Sequence, residues 1–484
     1  MVAFPAGYLD AASGLPLHPV AAEALQAALA EGWADPSRLT GPGRRSAVLL
    51  EAARETMAEE LGVHPGELSF VASGAHAAHL AVLGSLLARR RAGPRVVHSA
   101  VEHSAVLRAV AWHVQAGGVA TSVPVSGTGL VAAETFLHSA AQPDVAVAVL
   151  QAANHEVGTR QPVSAVAEGL RPAGVPLVVD AGQDLVYGSA PTGAGVFFGD
   201  ARLWGGPAGV GILVIRRGAR WRTPVPADQT EGGRSAGVPN VPAIVAAAAA
   251  FRASRDERSA EGTRLSALVD FLRTEIPRRV PDTEVLGDPI ERLPQLLTFS
   301  CLYVEGESIL TELDRRGFAV SSGSSCTSDA LTPSHVLLAM GALTGGNVRV
   351  SLPPGIDEAQ VRRFLDVLAE VVPAARSQLP GRAAPPTTPG RAQARVPATA
   401  GAEAADRGAE PIVIDSRGRR CPLPVLDLAR AVAELPVGAA VTVIADDPAA
   451  GADIRAWCRM RRQELVSGRG LGGDAWAFQV RRVR

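Results

Sequence analysis

The run Val145-Ala-Val-Ala-Val-Leu-Gln151 is apolar at every position up to its final amide. An uninterrupted short apolar run of this kind is typical of a strand buried on both faces, as in a parallel sheet. Outward from it, similar runs recur on both sides, and segments with helical apolar periodicity separate them. The runs span 95–98, 120–124, 177–180, 195–198 and 211–215, and helical segments span 19–30 and 47–61. We therefore predict a mainly parallel α/β sheet within residues 1–372.

Composition limits the functional classes. The 484 residues carry a formal net charge of −1 and are 47% hydrophobic, which suits a large two-part core with a small additional unit. No apolar run is long enough to span a membrane, and the N-terminus lacks a basic-then-apolar signal segment. The four cysteines form no Cys-x-x-Cys pair, which argues against a disulfide framework or a metal site. We expect a cytoplasmic protein with no membrane contact and no direct DNA binding.

The chain changes character after residue 372. Residues 373–410 are rich in Pro, Ala and Thr with almost no large apolar side chain, which is typical of a linker. Residues 411–484 then contain the pattern of a compact two-layer α/β unit. Its predicted elements are strands at 412–415, 440–445 and 475–480, and helices at 424–434 and 451–462.

The segment Val320-Ser-Ser-Gly-Ser-Ser-Cys326-Thr-Ser-Asp329 is a loop of small residues that presents one cysteine. Read alone, it is an ordinary loop with a half-buried thiol. Together with Glu305-Gly-Glu-Ser-Ile-Leu310, Pro333-Ser-His335 and Asn347-Val-Arg349, it resembles the cysteine desulfurases. These belong to the class V branch of the pyridoxal 5′-phosphate (PLP)-dependent aminotransferase fold. The resemblance implies L-cysteine as substrate, a homodimer, a persulfide on Cys326, and a substrate carboxylate held by Arg349.

Two further motifs match the cofactor site of that family. Val101-Glu-His103 implies a histidine that stacks on the PLP ring and acts in catalysis; the alternative is a surface histidine at a strand–helix junction. Val178-Val-Asp180-Ala-Gly-Gln183 is an apolar strand ending in a carboxylate, which places Asp180 at the sheet edge where α/β ligands bind. By resemblance, Asp180 pairs with the pyridine nitrogen and Gln183 bonds the phenolic oxygen of the ring.

Other positions depart from the family. Asn154 is kept as a cofactor contact, whereas His155 replaces the second Asn of the usual pair, on the substrate side. His76 stands at the phosphate-binding Thr. The gapless match of the Gly-Pro segment after Trp204 puts Asp200 at the phosphate-binding Ser, Arg202 at the usual His, and Leu203 at the Schiff-base lysine. The whole chain contains no lysine.

These departures weaken the cofactor site. Leu203 can neither hold PLP as an imine nor move a proton. Asp200 adds repulsion against the phosphate dianion, and Val238, at a phosphate-binding Thr of the partner-facing segment 232–240, supplies no donor. Arg202 and His76 are cations or potential cations that offset part of this. We therefore predict PLP that is either non-covalent or lost.

The C-terminal unit resembles the TusA/SirA sulfur carriers over 411–484. Its Cys421-Pro-Leu-Pro424 motif places the cysteine at a helix start beside Arg419 and Arg420, which predicts a lowered thiol pKa. The unit carries twelve Arg against eight Asp and Glu, which suits either an acidic partner or a solvated face. Cys458 and Cys301 are interpreted as core residues.

Three hypotheses follow. In the first, a cysteine desulfurase moves sulfur from L-cysteine or a persulfide donor to Cys326, then to Cys421, and on to a downstream sulfur-acceptor protein. In the second, the desulfurase fold is an inactive relay or scaffold that accepts sulfur from a separate desulfurase. In the third, a PLP-fold enzyme of different chemistry uses a non-covalent cofactor.

Overall fold

The computed structural model describes residues 6–323, 333–378 and 412–484. They form an N-terminal unit, residues 6–378, and a C-terminal unit, residues 412–484. Cys326 and most of the predicted linker lie outside the described residues. Within those residues, no helix combines the length and the apolar character that a membrane crossing requires.

A seven-stranded sheet with the strand order β1-β7-β6-β5-β4-β2-β3 forms the centre of the N-terminal unit. Strands β3, β2, β4, β5 and β6 are parallel, and β7 is antiparallel to both β6 and β1. Strand β4 is buried at every position, which explains its continuous apolar sequence. The mainly parallel sheet is confirmed. The strands are β1 (Leu68–Val71), β2 (Arg95–Ser99), β3 (Val119–Val123), β4 (Val145–Gln151), β5 (Leu177–Asp180), β6 (Val196–Asp200) and β7 (Gly211–Ile215).

Helices cover both faces of this sheet. Ala77 and Val106, from α3 and α4, pack into the core on one face, and helices α1, α2, α5, α6 and α7 contribute to the core on the other. The two buried faces fix the position of the strand ends between them. The helices are α1 (Pro19–Glu31), α2 (Gly41–Leu61), α3 (Gly74–Arg89), α4 (Ser104–Gln115), α5 (Ala133–Ala140), α6 (Val163–Leu170) and α7 (Val241–Arg279).

A second, antiparallel sheet with the order β10-β9-β8 completes the N-terminal unit. Its elements are β8 (Thr283–Leu286), β9 (Leu296–Cys301), α8 (Gly306–Arg315), α9 (His335–Met340), β10 (Asn347–Ser351) and α10 (Glu358–Gln378). The N-terminal chain runs beside this sheet, because Asp10 forms a parallel bridge with Ser351 and Tyr8 forms one with Ala319. That pairing brings Asp10 within reach of Arg349 on β10.

The predicted start of the linker needs a correction. Helix α10 continues across Pro373 and ends at Gln378. Val372 and Ala375 are buried on either side of the proline, and Arg376 is held by its Nε, which donates to the carbonyl of Leu302 at 2.9 Å. This packing outweighs the backbone hydrogen bond that a proline costs.

The C-terminal unit has a four-stranded sheet, β11-β12-β14-β13, covered by two helices. The first two strands are parallel and the other pairs are antiparallel. The elements are β11 (Ile412–Asp415), α11 (Leu423–Glu434), β12 (Ala440–Ala445), α12 (Ala450–Arg461), β13 (Glu464–Gly472) and β14 (Ala475–Arg481). The two-layer prediction is confirmed, although the sequence pattern did not indicate β13, which is exposed and contains three glycines.

The two units are docked against each other. Leu302 and Leu343 of the N-terminal unit belong to the core of the C-terminal unit. Trp457 donates its indole N–H to the Tyr303 hydroxyl at 2.7 Å, and the Arg461 guanidinium lies 5.5 Å from the centre of the Tyr303 ring. The ion pairs Arg461–Asp282 and Arg459–Glu284, each at 2.9 Å, flank this contact.

Candidate functional site

Most of the predicted site residues gather at the carboxyl edge of the parallel sheet. His103 begins the segment after β2, Asn154 and His155 follow β4, and Asp180 is the last residue of β5. Parallel strands present their carboxyl ends at one edge, where α/β proteins bind ligands. Arg349, on β10 of the second sheet, approaches from the opposite side and donates to the carbonyl of His155 at 3.0 Å.

Three histidines cluster at this edge, His155 buried and His103 and His335 half-buried. The rings of His103 and His155 meet edge to face at 4.8 Å, and His155 and His335 stack at 6.4 Å. Burial lowers the pKa of His103 to about 4, with repulsion from His155 adding to it. Burial, followed by the charge of Arg349, lowers the pKa of His155 to about 3. Both imidazoles are therefore neutral near pH 7.

The ring nitrogens of His155 are unusual for a buried side chain. Among the described residues, neither nitrogen has a hydrogen-bond partner, and the same is true of Glu156 Oε1, 3.6 Å from His155 Nε2. Buried polar atoms are paired in the great majority of cases, so this group is suited to a polar ligand or water. Burial raises the pKa of Glu156, whose other oxygen accepts a hydrogen bond from the Ser334 hydroxyl.

Asn154 and Gln183 are engaged with the protein itself. Asn154 Oδ1 accepts the backbone N–H groups of Glu156 and Val157 at 2.9 and 2.8 Å, and its Nδ2 donates to the carbonyl of Val101. Gln183 Nε2 donates to the carbonyl of Ala12 at 2.9 Å. These contacts shape the turn after β4 and fix the N-terminal chain over the site.

Arg349, predicted to hold a substrate carboxylate, is almost fully buried. Its Nη2 donates to Asp10 Oδ1 at 2.9 Å and to the Ser13 hydroxyl at 2.6 Å. An internal carboxylate therefore occupies one edge of the guanidinium, and only Nε lacks a partner among the described residues. A substrate carboxylate would have to displace Asp10 in order to make the usual two-pronged contact.

Asp200 lies at the N-terminus of α3. Its Oδ2 accepts the N–H of Gly74, the first residue of the helix, at 2.9 Å, while the Ser73 hydroxyl accepts the N–H of His76 at 3.1 Å. Arg202 is paired with Asp200 through Nε at 3.2 Å. His76 is half-buried, and burial lowers its pKa. The helix end that would attract an anionic group already holds a carboxylate of the chain.

Asp180 lies in surroundings that are compatible with its predicted role. Its Oδ1 accepts the N–H of Gly182 at 3.0 Å, and His103 lies close enough to influence the pKa of the carboxyl group. Burial raises the pKa of Asp180, Asp200 adds to the rise, and His103 opposes it. The carboxyl group is therefore retained where the resemblance expects the partner of a pyridine nitrogen.

Leu203 lines a cavity of about 450 Å³. Gln183, Tyr187, Trp204 and Leu352 also line this cavity, whereas His103 and Asp180 do not. Glu257, Glu261 and Gln295 line it as well, so the cavity beside the predicted lysine position has a mixed polar and apolar lining. Within the described residues, no group of three or more His, Cys, Asp or Glu side chains is arranged to hold a metal ion.

The prediction of a lowered pKa for Cys421 is wrong. Cys421 lies two residues before the first residue of α11, at the helix start as predicted, but burial strongly raises its thiol pKa, and the carboxylates of Asp453 and Asp447 raise it further. Its backbone N–H donates to Asp447 Oδ2 at 3.0 Å. Arg419, expected to help the thiolate, is paired with Asp427 at 2.9 Å. Cys301 and Cys458 are buried, which confirms their interpretation as core residues.

Cys326 lies outside the described residues, which stop at Gly323 and resume at Pro333. Gly323, three residues before it in sequence, donates its N–H to Asn347 Oδ1 at 2.9 Å, and a Cβ on Gly323 would lie 2.2 Å from Glu156 Oε2. Ser334, after residues 324–332, contacts the same carboxyl group. The described residues on either side of Cys326 in sequence therefore lie beside the histidine cluster.

Sequence reasoning assigned no role to several residues of this region. Glu102 lies next to the predicted His103, His335 Nε2 contacts the carbonyl of Glu102 at 2.9 Å, and Asp10 pairs with Arg349. Glu102 and His335 lie inside the sequence motifs that carried the family resemblance, so sequence reasoning could have singled them out. Thr344 and Asp453, which join the two units, had none.

Comparison with known proteins agrees with both parts of the chain. The family model for aminotransferase class V matches residues 7–364, and the model for sulfurtransferase TusA matches residues 412–482. The chain is 32% identical to the cysteine desulfurase IscS of Dictyoglomus turgidum, covering 77% of this chain and 96% of the relative. It is 36% identical to an IscS-like cysteine desulfurase of Mycobacterium tuberculosis, covering 76% and 97%.

The fold comparison gives the same result. A solved structure described as a NifS-like protein superposes with a TM-score of 0.71 at 26% sequence identity, covering 76% of this chain and 99% of that one. Both the family and the fold class predicted from the sequence are therefore confirmed. The chain belongs to the class V aminotransferase family, with cysteine desulfurases as relatives, and it carries a C-terminal TusA domain.

Proposed function

We propose that the chain is a sulfur-transfer protein whose N-terminal unit accepts sulfur as a persulfide instead of producing it from L-cysteine with PLP. In this proposal sulfur moves from a separate donor to Cys326, then to Cys421, and then to a downstream acceptor protein. One observation carries the proposal: the carboxylate of Asp200 accepts the first amide of α3, where the resemblance expects the cofactor phosphate.

The residues present do not fit PLP as the family holds it. The chain has no lysine, so no side-chain amine is available for an internal imine. A phosphate at the start of α3 would meet the carboxylate of Asp200, and two anions at hydrogen-bond distance repel each other. Arg202 does not offset this fully, because it already neutralises Asp200.

The substrate side of the site supports the same proposal. The Arg349 guanidinium is bound by Asp10 and Ser13 and is buried, so free cysteine would have to break an internal ion pair to enter. His155, at the position of the usual second Asn, is neutral near pH 7, because burial lowers its pKa to about 3. It therefore offers a substrate carboxylate no positive charge.

A second candidate is a desulfurase that uses non-covalent PLP. The retained pair of Asp180 and His103 favours it, because both the ring partner and the stacking residue remain close together at the carboxyl edge of the sheet. Under this alternative the chain consumes L-cysteine directly.

We further propose that the protein works as a homodimer in the cytoplasm. Residues 232–240 resemble the segment by which relatives reach the site of a partner subunit, and Val238 in this segment is 64% exposed. A reducing compartment keeps both transfer cysteines available as thiols. A monomer detected by light scattering at micromolar concentration would contradict the dimer.

The cofactor experiment separates the two candidates. Incubation with PLP, borohydride reduction and intact-mass measurement are expected to give no pyridoxyl adduct, because no amine is in place. Leu203→Lys alone is expected to gain little, and Leu203→Lys with Asp200→Ser to gain more, because the second change frees the α3 terminus. A cofactor spectrum that survives dialysis of the unmodified protein, together with cysteine consumption, would establish the second candidate instead.

The carrier function is tested separately. An active desulfurase with L-cysteine, or a small hydropersulfide, is expected to add one sulfur atom to Cys421, as mapped by mass spectrometry. This sulfur should be absent from Cys421→Ser and should arrive from the desulfurase more slowly in Cys326→Ser. Absence of loading in the unmodified protein contradicts the proposed function.

A further inference from the structure

The carrier cysteine is adjacent to a carboxylate that the other unit holds in place. Asp453, on α12, is 1% exposed. Its Oδ1 accepts the backbone N–H of Thr344 at 2.7 Å and the Thr344 hydroxyl at 2.9 Å. Its Oδ2 has no hydrogen-bond partner among the described residues, and the Cys421 thiol lies close enough to this carboxylate for each group to shift the pKa of the other.

We propose that Asp453 is the base that takes the proton of Cys421 during sulfur transfer, and that Thr344 of the N-terminal unit is the positioning residue that keeps this base ionised. The inference rests on the proposed function of Cys421 as the acceptor of sulfane sulfur. It differs from the usual picture of a carrier thiol activated by its helix terminus, because the geometry makes activation depend on the docked N-terminal unit.

The transfer step balances without an outside oxidant. The donor is a hydropersulfide, R–S–SH. As the Cys421 sulfur attacks the outer sulfur of the donor, its proton passes to the Asp453 carboxylate. The S–S bond of the donor breaks, its electron pair stays on R–S, and that sulfur takes a proton from water to leave as R–SH, while Asp453 returns its proton to water. Cys421 is left as a persulfide, so one sulfane sulfur has moved and no net oxidation has occurred.

The charges around the pair keep Cys421 as a thiol until it reacts, because burial and the carboxylates of Asp453 and Asp447 raise its pKa, so its proton must leave as the new S–S bond forms. Burial raises the pKa of Asp453 to about 6, and the donors from Thr344 and Cys421 limit that rise. The second carboxylate at the thiol, Asp447, also accepts the Cys421 N–H. Arg419 and Arg420 precede the cysteine, and both line a groove of about 840 Å³ to which Asp447 also contributes. At pH 7 the base is therefore ionised while the thiol is not, which is the arrangement that proton transfer requires.

The experiment uses the full chain with Cys326→Ser, so that added sulfur reports on Cys421. Glutathione hydropersulfide is the donor, and rapid quenching with intact-mass analysis gives the loading rate from pH 5 to pH 8. The reference chain is expected to load faster as the pH rises through about 6, as Asp453 ionises. Asp453→Asn is expected to lower the rate about 100-fold and to abolish this rise.

The Thr344 variants keep the test valid should Asp453→Asn fold poorly. Thr344→Val removes one of the two donors to the carboxylate and should move the pH profile upward by about one unit, whereas Thr344→Ser keeps the hydroxyl and should restore it. Glu464→Gln, an exposed carboxyl-to-amide change on β13, is the matched control.

The outcomes are distinct. Loading of Asp453→Asn at the reference rate, or identical pH profiles for Thr344→Val and Thr344→Ser, overturns the base assignment and leaves the carrier function standing. Failure of the reference chain itself to load at Cys421 contradicts the proposed function and, with it, this inference.

Discussion

Glu102 shows how a single buried side chain can determine the charge of the site. It is 0% exposed, its Oε1 accepts the Ser99 hydroxyl at 2.6 Å and the N–H of Gln151 at 3.1 Å, and its Oε2 has no partner among the described residues. Burial raises the pKa of Glu102 to about 8, and the charge of Asp180 adds to the effect. Near pH 7 Glu102 is therefore largely a neutral acid, beside the neutral imidazoles of the cluster.

The protonated state of Glu102 in the folded chain predicts that the stability of the protein depends on pH. The pKa of Glu102 is about 8 in the folded chain and near 4.5 when unfolded, so the folded state keeps a proton that the unfolded state loses. The free energy of unfolding therefore falls as the pH rises from about 4.5 to about 8. In Glu102→Gln that loss should be absent, because the amide keeps the Oε1 acceptor and does not titrate.

Denaturant unfolding at pH 5 and pH 8 checks this prediction. The difference in unfolding free energy between Glu102→Gln and the unmodified protein should favour the variant more at pH 8 than at pH 5. Glu464→Gln, on the exposed sheet edge, should show no such change. A constant difference for Glu102→Gln across this range would mean that Glu102 titrates normally.

At the scale of elements, the start of α3 is the place where the chain replaces a ligand with its own side chain. Asp200, at the end of β6, packs so closely that a Cβ on Gly74 would lie 2.6 Å from the Asp200 Cβ. The helix terminus and the strand end are therefore fitted to each other. A carboxylate at a helix N-terminus is stabilising, by about 0.5–2 kcal/mol when it caps an amide.

Gly74→Ala is expected to lower the unfolding free energy by about 1–3 kcal/mol, because the new methyl group must displace Asp200. With Asp200→Ala in addition, the loss should be smaller than the sum of the two single losses, since the clash is gone. Denaturant titration of the three variants measures this coupling. Gly262→Ala in α7 is the matched control, because its Cβ would meet Tyr187 at an ordinary 3.4 Å. Strictly additive effects would contradict the close packing.

The elements also show what the sequence could and could not predict. Strands such as β4 and β12 were predicted at their exact bounds, because burial makes their apolar patterns unambiguous. Strand β13 was missed, because its exposed glycine-rich sequence has no alternation to read. The pKa of Cys421 was predicted in the wrong direction, because local reasoning considered a helix start and two arginines. The burial of the thiol, which is the larger cause, and the carboxylate of Asp453, distant in sequence, both arise from tertiary contacts.

For the whole molecule, the principal feature is the docking of the two units. Tyr303 is its centre: the hydroxyl accepts hydrogen bonds from Trp457 and Arg461, and the ring lies under the Arg461 guanidinium. Leu302 and Leu343 add apolar contacts that are almost fully buried. An interface built from one aromatic anchor and flanking ion pairs is sensitive to loss of that anchor.

Tyr303→Ala is therefore expected to separate the units, because it leaves the Trp457 indole N–H without its acceptor and removes the ring beneath Arg461. Small-angle scattering should show a larger radius of gyration for this variant than for the unmodified chain. Tyr303→Phe keeps the ring and should stay closer to the unmodified value. An unchanged radius for Tyr303→Ala would show that the remaining contacts hold the units together.

The contact between Thr344 and Asp453 also has a consequence for how such proteins can be recombined. A carrier domain moved from this chain to another partner would bring its cysteine and its carboxylate, but it would leave behind the two donors that hold that carboxylate. The two units therefore cannot be exchanged independently of each other at this pair of positions. Engineers who exchange domains between fusions of this kind would have to transplant residues 344 and 453 as one unit.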